Sequence, residues 1–105
     1  MDSQICPRFE KAMNIISQRW NGLIIFHMLT NGPQRFSQIE AAMPISGRVL
    51  SERLKDLEHA GIMKRDVFPE TPVRIEYSLT EKGLALTPVM EMIHSWASEW
   101  VKVEE

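Results

Sequence analysis

Cysteine is nearly absent: Cys6 is the one cysteine among 105 residues. That excludes an intramolecular disulfide framework and a multi-thiolate metal site. Long apolar runs are missing too. The longest is Leu23-Ile24-Ile25-Phe26, with Met28-Leu29 after His27, far short of the ~18–20 residues a membrane span needs. The opening residues lack the charged-then-apolar pattern of a secretory signal, so no membrane role and a reducing cytoplasm are expected. The five glycines are scattered and build no phosphate loop. His27, His59 and His94 stand 32 and 35 residues apart, with no ligand spacing. No motif pairs Cys6 with His94 as a nucleophile, and His27 reads as a satisfied core histidine. Neither catalysis nor a cofactor is expected. An excess of positive charge is also lacking: the net charge is −2, so bulk charge alone does not argue for nucleic acid.

What is present describes a soluble globular domain. The chain is 44% hydrophobic and 25% charged, ordinary values for one folded unit. A chain this long buries one core without staples. Residues 1–48 hold five basic against three acidic side chains, residues 33–82 eight of each, and residues 83–105 one against four. The acidic excess lies at the C-terminal end, so any basic face comes from earlier in the chain.

Cys6-Pro7 opens the first helical pattern, with Cys6 at the N-cap and Pro7 in the first turn. Phe9, Ala12, Met13, Ile16 and Trp20 share one face at helical spacing. Asn21-Gly22 marks a break. Leu23 to Leu29 is apolar nearly all round, as a central buried helix is, and Thr30-Asn31-Gly32-Pro33 stops it. Ser37-Gln38-Ile39-Glu40 has capping-box spacing, with Phe36 and Ala41 as a weak staple, and predicts a short helix over 38–43. After Pro44-Ile45, Ser46 caps the next helix, whose core side is Leu50, Leu54 and Leu57. Gly61 ends it. Val73, Ile75, Tyr77 and Leu79 then alternate with polar residues as a half-buried strand, and 62–68 is its partner across Pro69-Glu70-Thr71-Pro72. Thr80 caps a last helical region to about Val101, which Gly83 and Pro88 break in two.

The order is helix, helix, short helix, helix, hairpin, helix. It predicts a mainly α fold with a small β-hairpin wing, a winged helix-turn-helix. A single domain over 1–105 is expected, with the helix-turn-helix at about 37–60, the wing at about 62–79 and terminal helices at about 7–20 and 81–102. Several motifs follow one another in this order: Cys6-Pro, Arg19-Trp20-Asn-Gly-Leu-Ile-Ile, Gly32-Pro-x-Arg35-Phe36, Leu50-x-Glu52-Arg53-Leu54-x-x-Leu57, Pro69-Glu-x-Pro72-Val and Glu76-Tyr77-Ser-Leu79-Thr-Glu-x-Gly83. Over about 6–100 the chain resembles the HxlR-type, MarR-like winged-helix regulators of bacteria. Cys-Pro near the N-terminus resembles the members that sense quinones and diamide. The resemblance implies a homodimeric repressor on a palindromic double-stranded operator.

The second helix of such a unit enters the major groove by its N-terminal end. Here that end is Ser46, Gly47, Arg48 and Ser51, with Arg53 and Lys55 further along. Arg48 can fork onto a guanine edge, and Ser51 can donate or accept. Ser37 and Gln38 could bond phosphate from the preceding helix. In the wing, Lys64, Arg65 and Arg74 are available, with Arg74 preferred. Arg53 has a second reading as partner of Glu52, Asp56 or Glu58, and Arg74 as partner of Asp66 or Glu70. Phe9, Met13, Met92, Trp96 and Trp100 exceed what one small core needs. They are read as a dimer interface, the alternative being that they cap the monomer's own core. A helix N-terminus favours the reactive thiolate form of Cys6. With no second cysteine in the chain, its chemistry is adduct formation with an electrophile, or a disulfide to another subunit or a small thiol. Other readings are a regulator of the same type answering a different signal, and a winged helix that binds protein.

Overall fold

The computed structural model describes residues 5–104. It is mainly helical with one antiparallel hairpin. Helix α1 spans Pro7–Ser17, α2 Asn21–Asn31, α3 Phe36–Ala42 and α4 Gly47–His59. Strands β1 (Met63–Phe68) and β2 (Arg74–Leu79) follow, then α5 (Glu81–Leu84) and α6 (Thr87–Trp100). The molecule is drawn out to 60 × 39 × 24 Å.

That core is the helix-turn-helix with α2 behind it. Ile24, Ile25 and Met28 of α2 meet Ile39 of α3, Ile45 of the turn, and Leu50, Leu54 and Leu57 of α4. Ile62 and Met63 carry the packing into the wing, and Met90 is the single buried residue of α6. The leucines of α4 recur every three or four residues, which keeps them on one stripe. Replacing any one of these fully buried leucines with alanine costs about 2–5 kcal/mol.

Three local expectations change. Asn21-Gly22 does not interrupt a helix; it begins α2. The chain turns at Trp20, whose backbone is left-handed (φ 80°), and Asn21 is buried with its Nδ2 donating to the Ile15 carbonyl 2.9 Å away. Trp20 therefore leaves the apolar face of α1, which ends at Ser17. The Ser37–Glu40 capping box is also not used. Helix α3 starts at Phe36, and the Gln38 side chain accepts from the Arg35 backbone N–H at 2.8 Å. Phe36 packs against the core, and drawing it into the first turn shifts the cap two residues upstream.

Other signals are followed closely. Ser46 Oγ accepts from Val49 N at 3.2 Å, Gly61 is left-handed (φ 76°), and Thr80 Oγ1 accepts from Gly83 N at 3.2 Å. The last helical region breaks at Ala85-Leu86, just before Pro88. In the wing, Met63 pairs with Leu79 and Phe68 with Arg74. A third segment touches the hairpin: Gln34 and Tyr77 exchange backbone hydrogen bonds of 2.9 and 2.8 Å.

Candidate nucleic-acid interface

The N-terminal end of α4 is assembled by its cap. Ser46 fixes the entry of the helix, so Gly47 and Arg48 occupy the first turn and Ser51 the next. No acidic side chain lies in that first turn, so the helix dipole is left uncompensated by its own sequence. Arg48 and Lys55 are exposed, and neither has an acidic group within 4.0 Å among the described residues. A Cβ on Gly47 would lie 2.9 Å from Glu40 Oε2, which brings an α3 carboxylate beside the start of α4. Ser37 is exposed on α3. Gln38 is exposed as well, but its oxygen is committed to the cap of its own helix.

Two cations expected on this face are engaged elsewhere. Arg53 is drawn back along α4 to Asp56 at 3.2 Å, with Glu52 at 3.7 Å, and only 16% of its side chain is exposed. Arg74 bonds Glu70 and Glu76 and lies over the Phe68 ring, so it is not a free phosphate contact. Arg74 keeps the Glu70 carboxyl below the usual glutamate range, first through its hydrogen bond and then through its charge; Arg35 lowers it further by charge. Glu70 and Glu76 in turn hold the Arg74 guanidinium even more firmly protonated than usual. In the rest of the wing, Lys64 is 4.0 Å from Asp66. Arg65 is exposed, with no acidic group within 4.0 Å among the described residues.

Arg35 is a residue that sequence reasoning passed over as part of a motif. It is exposed at the N-cap of α3, close enough to the wing for Glu70 to feel its charge. An arginine just before a helix that precedes the reading helix is the signal that could have singled it out.

The thiol and the apolar terminal faces stand apart from this surface in the chain. Cys6 is exposed at the N-cap of α1, and Arg8, Glu10 and Lys11 after it are exposed as well. No residue of α1 is buried. Phe9 is 63% exposed, Trp96 61% and Trp100 68%, with Met13 and Met92 also exposed. These side chains therefore do not cap the core of their own chain. His27 has both ring nitrogens engaged, Gln34 Oε1 at Nε2 and Asn31 Nδ2 at Nδ1, both 3.1 Å away, but it is half-buried rather than part of the core. His94 stacks on Phe26 at a ring distance of 5.3 Å, joining α6 to α2. Among the described residues, no helix is long and apolar enough to cross a membrane.

Comparison with known proteins agrees with this geometry. A family model described as HxlR-like helix-turn-helix matches residues 15–105. The HTH-type transcriptional regulator YvaP of Bacillus subtilis is 66% identical over 100 residues, covering 94% of this chain and 92% of its own. The HTH-type transcriptional regulator YodB of the same organism is 48% identical, covering 95% and 89%. The solved structure of reduced YodB superposes with a TM-score of 0.82 at 46% identity, covering 97% of this chain and all of the other. Quinone-bound YodB does so with a TM-score of 0.78 at 43% identity, covering 91% and all. A family match over most of the sequence, joined by relatives this similar from end to end, makes the chain a member of the HxlR-like helix-turn-helix family: a DNA-binding transcriptional regulator and not an enzyme.

Proposed function

We propose that this regulator is a homodimeric repressor that releases a palindromic operator when an electrophile, a quinone in the first instance, modifies Cys6. The observation that carries the reading is Cys6 itself: the chain's one thiol, exposed at the start of a helix whose Phe9 and Met13 are left exposed while Ile15 and Ile16 pack on the core. The similarity to YodB, solved in a quinone-bound form, supports the choice of electrophile.

Two copies join through Phe9 and Met13 of α1 and Met92, Trp96 and Trp100 of α6. Each copy presents Ser46, Gly47, Arg48, Ser51 and Lys55 to the major groove, with Ser37, Gln38 and Arg35 beside the phosphates. In a two-fold dimer the reading helices stand about 34–36 Å apart, one turn of duplex. The thiolate adds to a quinone ring carbon. A C–S bond forms as a ring C=C π bond opens, one quinone oxygen takes a proton from solvent, the hydrogen of the attacked carbon passes to the other oxygen, and the ring becomes a hydroquinone with no further oxidant consumed. The bulky adduct at the first turn of α1 rotates one subunit against the other and changes half-site spacing. Release requires the adduct to favour the non-binding arrangement by several kcal/mol.

The test is a titration of the dimer on labelled DNA from upstream of its own gene, with and without benzoquinone. The unmodified protein binds, and quinone releases it as a mass shift of one adduct per chain develops. Cys6→Ser binds equally well and stays bound. Release of Cys6→Ser at the same quinone concentration overturns the sensing mechanism. Failure of unmodified protein to bind any upstream duplex overturns the operator assignment.

A further inference from the structure

The polar face of the wing carries an arrangement that a phosphate contact by Arg74 does not account for. The register of β1 and β2 puts Lys64, Asp66 and Phe68 on the same face as Ser78, Glu76 and Arg74. The Arg74 guanidinium lies 3.9 Å from the centroid of Phe68, the residue directly opposite it. Its Nε and Nη2 donate to the two carboxylate oxygens of Glu70 at 3.2 and 2.9 Å, and Nη1 donates to Glu76. Three donors and the ring-facing plane are thereby occupied, leaving the side chain 26% exposed. A fork that meets a carboxylate with two parallel bonds fixes orientation as well as charge, which a lysine ammonium does not do.

Glu70 belongs to the turn itself: its backbone N–H bonds the Phe68 carbonyl at 2.7 Å. The grip on Glu70 thus closes the hairpin tip onto the β2 strand. The charges of this face, Asp66, Glu70 and Glu76 against Lys64 and Arg74, sum to an acidic surface. Such a face does not seek phosphate. Arg65 points to the opposite face, paired across with Tyr77, and is exposed.

We propose that Arg74 is a positioning residue: by gripping Glu70 and Glu76 over the Phe68 ring it sets the shape of the wing tip, and Arg65 makes the wing's phosphate contact. The proposal rests on the operator-binding reading above, but the shape of the tip is measurable without DNA.

Full-length protein is titrated onto labelled upstream duplex at a series of salt concentrations. Glu70→Gln removes a negative charge from a DNA-facing element, so simple electrostatics would tighten binding; the clamp instead predicts several-fold weaker binding. Arg74→Lys keeps the charge and also binds several-fold more weakly, with the salt dependence unchanged. Arg65→Ala lowers the slope of log K against log salt by about 0.9, the loss of one phosphate contact. Binding of Glu70→Gln as tight as wild type or tighter overturns the proposal, as does a slope reduced by about 0.9 in Arg74→Ala. Amide exchange without DNA supplies the second readout. The Glu70 amide, bonded to the Phe68 carbonyl, exchanges faster in Arg74→Lys while those of α2 keep wild-type rates; an unchanged Glu70 rate overturns the clamp. If wild type binds no duplex, the operator reading fails and the exchange result still decides the clamp.

Discussion

At Gly83 one methyl group meets fixed backbone. A Cβ there would lie 2.3 Å from the Ile62 carbonyl oxygen, which Thr80 N–H already holds at 3.0 Å, and 3.0 Å from Leu79 Cδ2. The Gly83→Ala protein is expected to lose about 3 kcal/mol, the upper part of the overpacking range, read as a lower urea midpoint. Arg48 and Arg53 make a second contrast at this scale. Both are arginines on α4, and the sequence left Arg53 with two readings, a base or phosphate contact or an ion pair along the helix. The reach of Arg53 back to Asp56 selects the second. Arg48→Ala should weaken operator binding by about 1–3 kcal/mol, roughly 5- to 150-fold. Arg53→Met should change operator affinity far less, and shift the urea midpoint instead. A titration on one duplex at one salt concentration checks both.

Among the elements, α4 was the most legible in sequence, because its cap, its leucine stripe and its terminal glycine agree. Ser46→Ala should cost about 1 kcal/mol of stability, since the Val49 N–H loses its acceptor. The corner between α1 and α2 was not legible. Its turn depends on a left-handed tryptophan, a conformation that no side-chain pattern announces, and on a buried asparagine reaching back to Ile15. The short α3 shows a similar failure: two caps were available, and packing of Phe36 selected the one upstream. The wing was legible in period, and the Arg74–Glu70 pair was one of the readings the sequence offered; the Glu76 contact and the stacking over Phe68 were not. These follow from how far an arginine extends across and along the two strands. The lowered carboxyl of Glu70 gives the tip a pH dependence of fixed sign. Its folded-state pKa lies below the unfolded one, so the stabilisation is complete above the ordinary glutamate value and fades as pH falls through the folded value. Acidification below the ordinary glutamate value should therefore loosen the tip, seen as a smaller protection factor for the Glu70 amide, its exchange compared with the intrinsic rate at the same pH. Glu70→Gln should show the loose tip at every pH.

On the scale of the whole molecule, the core residues were legible from spacing alone, because Ile24, Ile25, Met28 and the α4 leucines fall on predicted buried faces and are buried. The terminal helices were legible as apolar. That Phe9, Met13, Met92, Trp96 and Trp100 lie outside the core needed three dimensions, since helical spacing is the same whether a face meets its own chain or another. Trp96 and Trp100 leave more large apolar surface in water than a solitary small protein normally carries. Sedimentation should find a particle of twice the chain mass. Replacing Trp96 and Trp100 together by serine should give monomers that keep the helical circular-dichroism signal yet bind a two-half-site duplex no better than a single half-site.

The bond pair between Gln34 and Tyr77 bears on how the protein behaves at high concentration. A two-stranded ribbon offers unpaired backbone along both rims, and such rims recruit strands from other molecules. Gln34 occupies the outward N–H and C=O of Tyr77, and the other rim carries the charged run Lys64-Arg65-Asp66. Both rims are thus blocked, one by a plug and one by repulsion. Gln34→Pro removes the donor on the plugged side, and its solutions should turn turbid on storage well before those of the unaltered chain.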